Sequence, residues 1–152
     1  MELSLKIAEI RKAIGLTQDE LAEKLFVTRQ AVSRWERGET TPSLETLKAL
    51  ADLYKIDANA LLGTKQQFCQ SCGMPLMNLS DLGANADNGA NFEYCHYCIE
   101  GGEFKDSFSI DEMAEHNLNW LKEWNEANGT SFTKDEARPL IREFLSALKR
   151  WK

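Results

Sequence analysis

All four cysteines of the chain fall in two Cys-x-x-Cys pairs, Cys69/Cys72 and Cys95/Cys98. Two residues between cysteines let both sulfurs reach one tetrahedral ion at about 2.3 Å. Two such pairs form the ligand set of a structural zinc site. The pairs are joined by residues 73–94, slightly longer than the usual spacing of about 15–20 residues, and a linking loop can absorb the excess. That stretch is rich in Asn, Asp, Ala and Gly, so residues 83–91 are expected to form an exposed loop. Gly73 follows the first pair, where a positive φ is easiest and backbone N–H groups can turn toward the sulfurs.

Other uses of the cysteines compete. A disulfide is disfavoured in a reducing compartment, and Met1-Glu2-Leu3-Ser4-Leu5-Lys6 lacks the basic stretch followed by an apolar one that a secretory signal would show. A redox pair would sit in a βαβ pattern, which neither motif has. Iron fits the same cage and remains an alternative to Zn2+. Four thiolates close the coordination sphere, so the role expected for Cys69, Cys72, Cys95 and Cys98 is structural, with His96 a bystander. His116 is expected on a helix surface.

The first sixty residues carry apolar side chains at helical spacing, broken by short turn signals. A first helix runs from Leu3 to about Ala13 and stops at Gly15. Thr17-Gln18-Asp19-Glu20 is a capping box opening a second helix to about Leu25. Phe26-Val27 is a short connection, Thr28 caps a third helix to about Arg37, and Gly38 ends it. Ser43 caps a fourth helix, and a short fifth covers about residues 58–62. Helices two and three with their tight turn describe a helix-turn-helix. Ala22 lets the two cross closely, Val27 plugs the turn and Val32 anchors the third helix inward.

On this reading Thr28, Arg29, Gln30, Ser33 and Arg34 face outward at the start of the third helix. These side-chain types read base edges: arginine forks onto guanine and glutamine onto adenine. Gln18 opens the second helix, where an amide and backbone N–H groups can hold a phosphate. The net charge of −6 weighs against a nucleic-acid binder, but the acid load lies mostly in the second half. Between Thr28 and Gly38, three arginines stand against Glu36 alone.

The run Leu16-Thr17-Gln18…Leu21-Ala22…Val27-Thr28-Arg29-Gln30-Ala31-Val32-Ser33…Trp35-Glu36-Arg37-Gly38 resembles the phage Cro/repressor-type helix-turn-helix family over residues 3–63. The resemblance implies a five-helix domain docking helix three in the major groove, usually as a homodimer on a two-fold operator in double-stranded DNA. It also implies an ion pair between Arg11 and Glu36. Phe26 departs from the pattern, since many members have glycine there.

Farther on, Ser109 or Asp111 can cap a helix to about Ala127, with Ile110, Met113, Asn117, Leu121 and Trp124 on one face. Asn128-Gly129 ends it. Thr133-Lys134-Asp135-Glu136 is a further capping box, opening a helix with Ala137, Leu140, Ile141, Phe144, Leu145 and Leu148 on one stripe. These helices are expected to pack as a hairpin over the ribbon. Trp120, Trp124, Phe144 and Leu148 could alternatively build a dimer surface. The segments Phe68–Leu76, Tyr94–Cys98, Gly102-Glu103-Phe104 and Leu148–Trp151 resemble a zinc-ribbon family of small bacterial proteins over residues 67–152. That resemblance implies a fold and a metal but no activity.

The expected architecture is mainly α: a five-helix helix-turn-helix domain (1–63), a linker (64–67), a zinc ribbon (68–104) and a helical hairpin packed with it (105–152). The expected function is a sequence-specific DNA-binding transcriptional regulator, located in the cytoplasm. A protein-interaction adaptor or antitoxin-like neutraliser is the alternative. No apolar run approaches the roughly 18 residues that cross a bilayer. No nucleophile-and-base set, phosphate-cradling glycine loop or open metal motif suggests an enzyme or a small-molecule substrate.

Overall fold

The computed structural model describes residues 2–58, 61 and 67–152. Four helices open the chain: α1 (Glu2–Ala13), α2 (Gln18–Leu25), α3 (Arg29–Glu36) and α4 (Leu44–Tyr54). Their boundaries follow local chemistry. Gly15, at φ +76°, takes the left-handed conformation that ends α1. The Thr17/Glu20 capping box forms in both directions, the Thr17 N–H donating to Glu20 Oε2 at 2.7 Å. Thr28 and Ser43 accept from the N3 backbone of α3 and α4. Ile7, Leu21, Val32, Leu47 and Leu50 are fully buried between these helices. The fifth helix expected at 58–62 lies mostly outside the described residues; of it, Leu61 is buried.

The middle of the chain consists of three two-stranded antiparallel ribbons: β1 (Gln67–Phe68) with β2 (Pro75–Leu76), β3 (Leu82–Ala84) with β4 (Ala90–Cys95), and β5 (Ile99–Glu100) with β6 (Glu103–Phe104). This corrects the loop expected over 83–91. Ala84 pairs with Ala90 and Gly83 with Asn91 in a hairpin whose register slips between Leu82 and Gly83. The hairpin forms because Asn88 accepts φ +65°, the left-handed position of a three-residue turn. The Asn88 N–H donates to the Asn85 carbonyl at 3.0 Å and the Asn85 N–H to the Gly89 carbonyl at 2.8 Å.

Helices α5 (Ile110–Asn117), α6 (Leu121–Asn128) and α7 (Lys134–Ser146) complete the chain, with a 3-10 turn at Leu118–Trp120 and another at Lys149–Trp151. The single helix expected to Ala127 is therefore broken. Asn117 lies at the break, its amide donating to the Cys72 carbonyl at 2.8 Å. The buried face is Met113, Ala114, Leu118 and Leu121; Trp124 is exposed. The Thr133 capping box forms, and Gly129 caps α6 in the left-handed region. Among the four residues offered for a dimer surface, Leu148 is buried in the core, whereas Trp120, Trp124 and Phe144 are exposed.

Candidate nucleic-acid interface and metal centre

The α2–α3 unit is held from three sides. Val32 and Trp35 bury the inner face of α3, and Ala22 is buried at the α2 crossing. The Val27 N–H donates to the Ala22 carbonyl at 3.0 Å, closing the turn. Arg11 of α1 reaches Glu36 at the end of α3 through Nε to Oε1 at 2.5 Å and Nη2 to Oε2 at 3.1 Å. Arg11 Nη1 also donates to the Leu16 carbonyl at 2.7 Å. Helix α3 is thus fixed in orientation by an ion pair as well as by its apolar face.

Its other face is open. Thr28, Arg29, Gln30 and Arg34 are exposed and Ser33 is half-buried. Arg34 has no ion pair among the described residues. Arg29 meets Asp19 only at 3.9 Å with both side chains solvated, a pair worth little. The Thr28 hydroxyl caps the helix, accepting from the Ala31 N–H at 3.1 Å. Gln18 behaves differently: it is half-buried and its amide donates to Glu36 Oε2 at 2.9 Å. Its amide therefore serves the Arg11–Glu36 pair, and in the first turn of α2 the Glu20 N–H is taken by the Thr17 hydroxyl at 3.2 Å.

The four cysteine sulfurs converge. Cys69 and Cys72 lie at the turn of the β1–β2 ribbon; Cys95 ends β4 and Cys98 precedes β5. All four Sγ atoms lie within 4.8 Å of one another. Cys72 and Cys95 are 3.7 Å apart. Thiolates at 2.3 Å from a tetrahedral ion stand about 3.8 Å from each other, whereas a disulfide needs about 2.05 Å. The spacing therefore fits a shared ion and not a bond.

The Cys95 N–H donates to Cys69 Sγ at 3.3 Å, a backbone contact that offsets thiolate charge. Gly73 has the expected positive φ of +79°, but its N–H goes to the Cys69 carbonyl, not to a sulfur. His96 stands outside the cage, its Nδ1 3.2 Å from the Asp81 carbonyl. His116 is exposed against Phe108.

Ser71, between the first two cysteines, is fully buried and was missed by motif reading. Arg150 Nη1 donates to its hydroxyl and Trp151 Nε1 to its carbonyl, both at 2.7 Å. Arg150 also pairs with Asp106 at 2.8 Å and stacks 4.1 Å above the Phe104 ring. The C-terminal Lys149–Trp151 turn therefore clamps the first cysteine knuckle.

Comparison with known proteins places both halves. Residues 68–152, more than half of the chain, match the family described as "Putative zinc ribbon domain". The chain belongs to this zinc ribbon family. Residues 7–61 match the helix-turn-helix family. The HTH-type transcriptional activator BcrR of Enterococcus faecalis is 36% identical over 66 residues, 43% of this chain and 32% of that protein. The HTH-type transcriptional regulator ImmR of Bacillus subtilis is 38% identical over 63 residues, 41% of this chain and 50% of its own length. The HTH-type transcriptional regulator DdrOP3 of Deinococcus deserti is 36% identical over 91 residues, 59% of this chain and 70% of that protein. The chain thus spans 32% of the first of these relatives and 50% of the second. It carries a transcriptional-regulator helix-turn-helix joined to a zinc ribbon, and no described helix is long and apolar enough to cross a membrane.

Proposed function

We propose that the protein is a sequence-specific DNA-binding transcriptional regulator acting in the cytoplasm, with α3 entering the major groove. The observation that carries this reading is the exposed set Thr28, Arg29, Gln30 and Arg34 on a helix whose opposite face is fixed by Val32, Trp35 and the Arg11–Glu36 pair. Rigid placement matters because base readout is geometric. Ser33 sits at the edge of the contact, and the start of α2 at Gln18 meets the backbone.

The four cysteines would hold a structural Zn2+, their closed thiolate set leaving no coordination position for substrate. Two copies would sit on a two-fold operator. The exposed Trp120, Trp124 and Phe144 support a pairing surface on the C-terminal helices, since aromatic anchors are enriched at interfaces. Binding to the DNA upstream of the gene tests the reading. Arg29→Ala and Arg34→Ala should each lose about 1–3 kcal/mol and relax base preference at one position. Unchanged affinity and preference in both variants would remove α3 as the reading element.

A further inference from the structure

The zinc module does not hang free of the reading helix. Its β3–β4 turn, residues 85–89, is seated on the loop between α3 and α4. The Ala90 N–H donates to the carbonyl of the buried Pro42 at 2.8 Å. Gly89 approaches so closely that a Cβ there would stand 2.4 Å from the Thr41 carbonyl oxygen. The turn is internally tied as well, with Asp87 Oδ1 accepting from the Gly89 N–H at 2.9 Å and the Asn91 amide donating to Asn85 Oδ1 at 2.8 Å. It has little freedom to swing away.

This fixed turn shares an open cleft of about 490 Å³ with the reading helix. Gln30 and Arg34 line one wall, Asp87, Asn88 and Gly89 the other, and Thr41 and Thr46 lie between them. Asn88 is exposed and its side chain has no hydrogen-bond partner among the described residues. The polar lining is hydroxyls, two amides and one arginine, the groups that contact a sugar–phosphate backbone, together with the single carboxylate of Asp87. A duplex engaging Gln30 and Arg34 would have to pass beside this wall, since both line the same cleft as Asp87–Gly89.

We infer that the zinc-ribbon turn Asp87–Gly89 is the second wall of the DNA site, its Asn88 amide donating to a phosphate of the strand that borders the groove read by α3. The inference rests on the α3 reading above. It makes the ribbon a part of the interface and gives the Gly89–Thr41 contact a purpose: it sets the distance between reading helix and turn. Asp87 is the one charge on the ribbon wall that opposes the phosphates, so it reports their proximity.

The test uses the full metal-loaded chain and a DNA site selected by the wild-type protein, with affinities measured over a series of salt concentrations. Asn88→Gly keeps the left-handed turn and removes the amide; it should weaken binding about fivefold, on selected and unrelated DNA alike, as a phosphate contact does. Asp87→Asn keeps the acceptor and removes the charge; it should tighten binding and steepen the salt dependence. Arg34→Ala serves as the reference for the reading helix. Asn88→Gly and Asp87→Asn both indistinguishable from wild type, with Arg34→Ala impaired, would overturn the inference and leave the α3 reading intact. Tighter binding by Asn88→Gly would also overturn it, because the turn would then obstruct the duplex. Loss of effect in Arg34→Ala as well would bring down the α3 reading itself.

Discussion

Arg11 and Glu36 join the first helix to the third, with side chains about 90% withdrawn from solvent on both sides and Gln18 as a third member. Burial would raise the Glu36 carboxyl, but the hydrogen bonds from Arg11 and Gln18 outweigh it and hold the group below its ordinary value. Because the folded-state pKa is depressed, the pair stabilises the fold fully above the unfolded carboxylate value of about 4.3 and loses that contribution as pH falls through the folded value. Arg11→Ala leaves a carboxylate without its partner and should cost about 3 kcal/mol, read as a shifted denaturant midpoint. The penalty should shrink in acid. A variant as stable as wild type at neutral pH would show the pair to be incidental.

Metal removal should act on one half of the chain first. The ribbon strands are two to six residues long and converge on the four sulfurs, whereas α1–α4 supply the fully buried Ile7, Leu21, Val32, Leu47 and Leu50 to a core that continues into the ribbon at Leu76, Leu79 and Leu82. Apparent binding energies at four-thiolate sites are on the order of 10 kcal/mol, far more than short strands supply. A strong chelator, or Cys69→Ser, should release one metal ion per chain and abolish amide-exchange protection in the ribbon. Protection in α2 and α3 should persist. Zinc in elemental analysis is the expected metal; a ribbon still protected after chelation would mean that the ion is dispensable.

Phe26 closes α2 at φ +56° and is 96% exposed, so it bears left-handed strain and gains no packing in return. Left-handed backbone costs a side chain about 1–2 kcal/mol, and glycine returns about 0.4–1 kcal/mol of that to the unfolded chain. Phe26→Gly should therefore stabilise the protein by about 0.5–1 kcal/mol, visible as a higher melting temperature with unchanged spectrum. A lower melting temperature would point to a contact made by this ring.

Arg150 ties the last turn of the chain to two distant segments, at Ser71 and at Phe104 and Asp106. Burial opposes ionisation of Asp106, but the Arg150 hydrogen bond prevails and lowers its pKa. Arg150→Ala should destabilise the ribbon by about 2 kcal/mol, since charged hydrogen bonds of this kind carry about 1.5–3 kcal/mol. The readout is faster metal loss to a chelator. Metal release at the wild-type rate would show that the C-terminal clamp does not guard the knuckle.

Helix boundaries were legible because caps are local: Thr17, Thr28, Ser43 and Thr133 act on residues three positions away. The cysteine cage was legible because each half of it is a four-residue motif. What escaped depended on distant partners. Ser71 is satisfied by residues 79 and 80 positions later, and Asn117 at the break between α5 and α6 bonds a carbonyl 45 positions earlier. The β3–β4 hairpin is intermediate: Asn88-Gly89 is a hairpin signal, but flanking Asn, Asp and Ala suggested a loop. Its seat on Pro42 and Thr41 belongs to the tertiary fold alone.

The most direct measurement is selection of binding sites from random DNA by the wild-type chain and by Gln30→Ala and Arg34→Ala. The wild type should recover a two-fold site with half-sites about 34 Å apart, and each variant should lose base preference at one position per half-site. The same preferred sequence from all three chains, or none from the wild type, would contradict base reading by the helix that begins at Arg29.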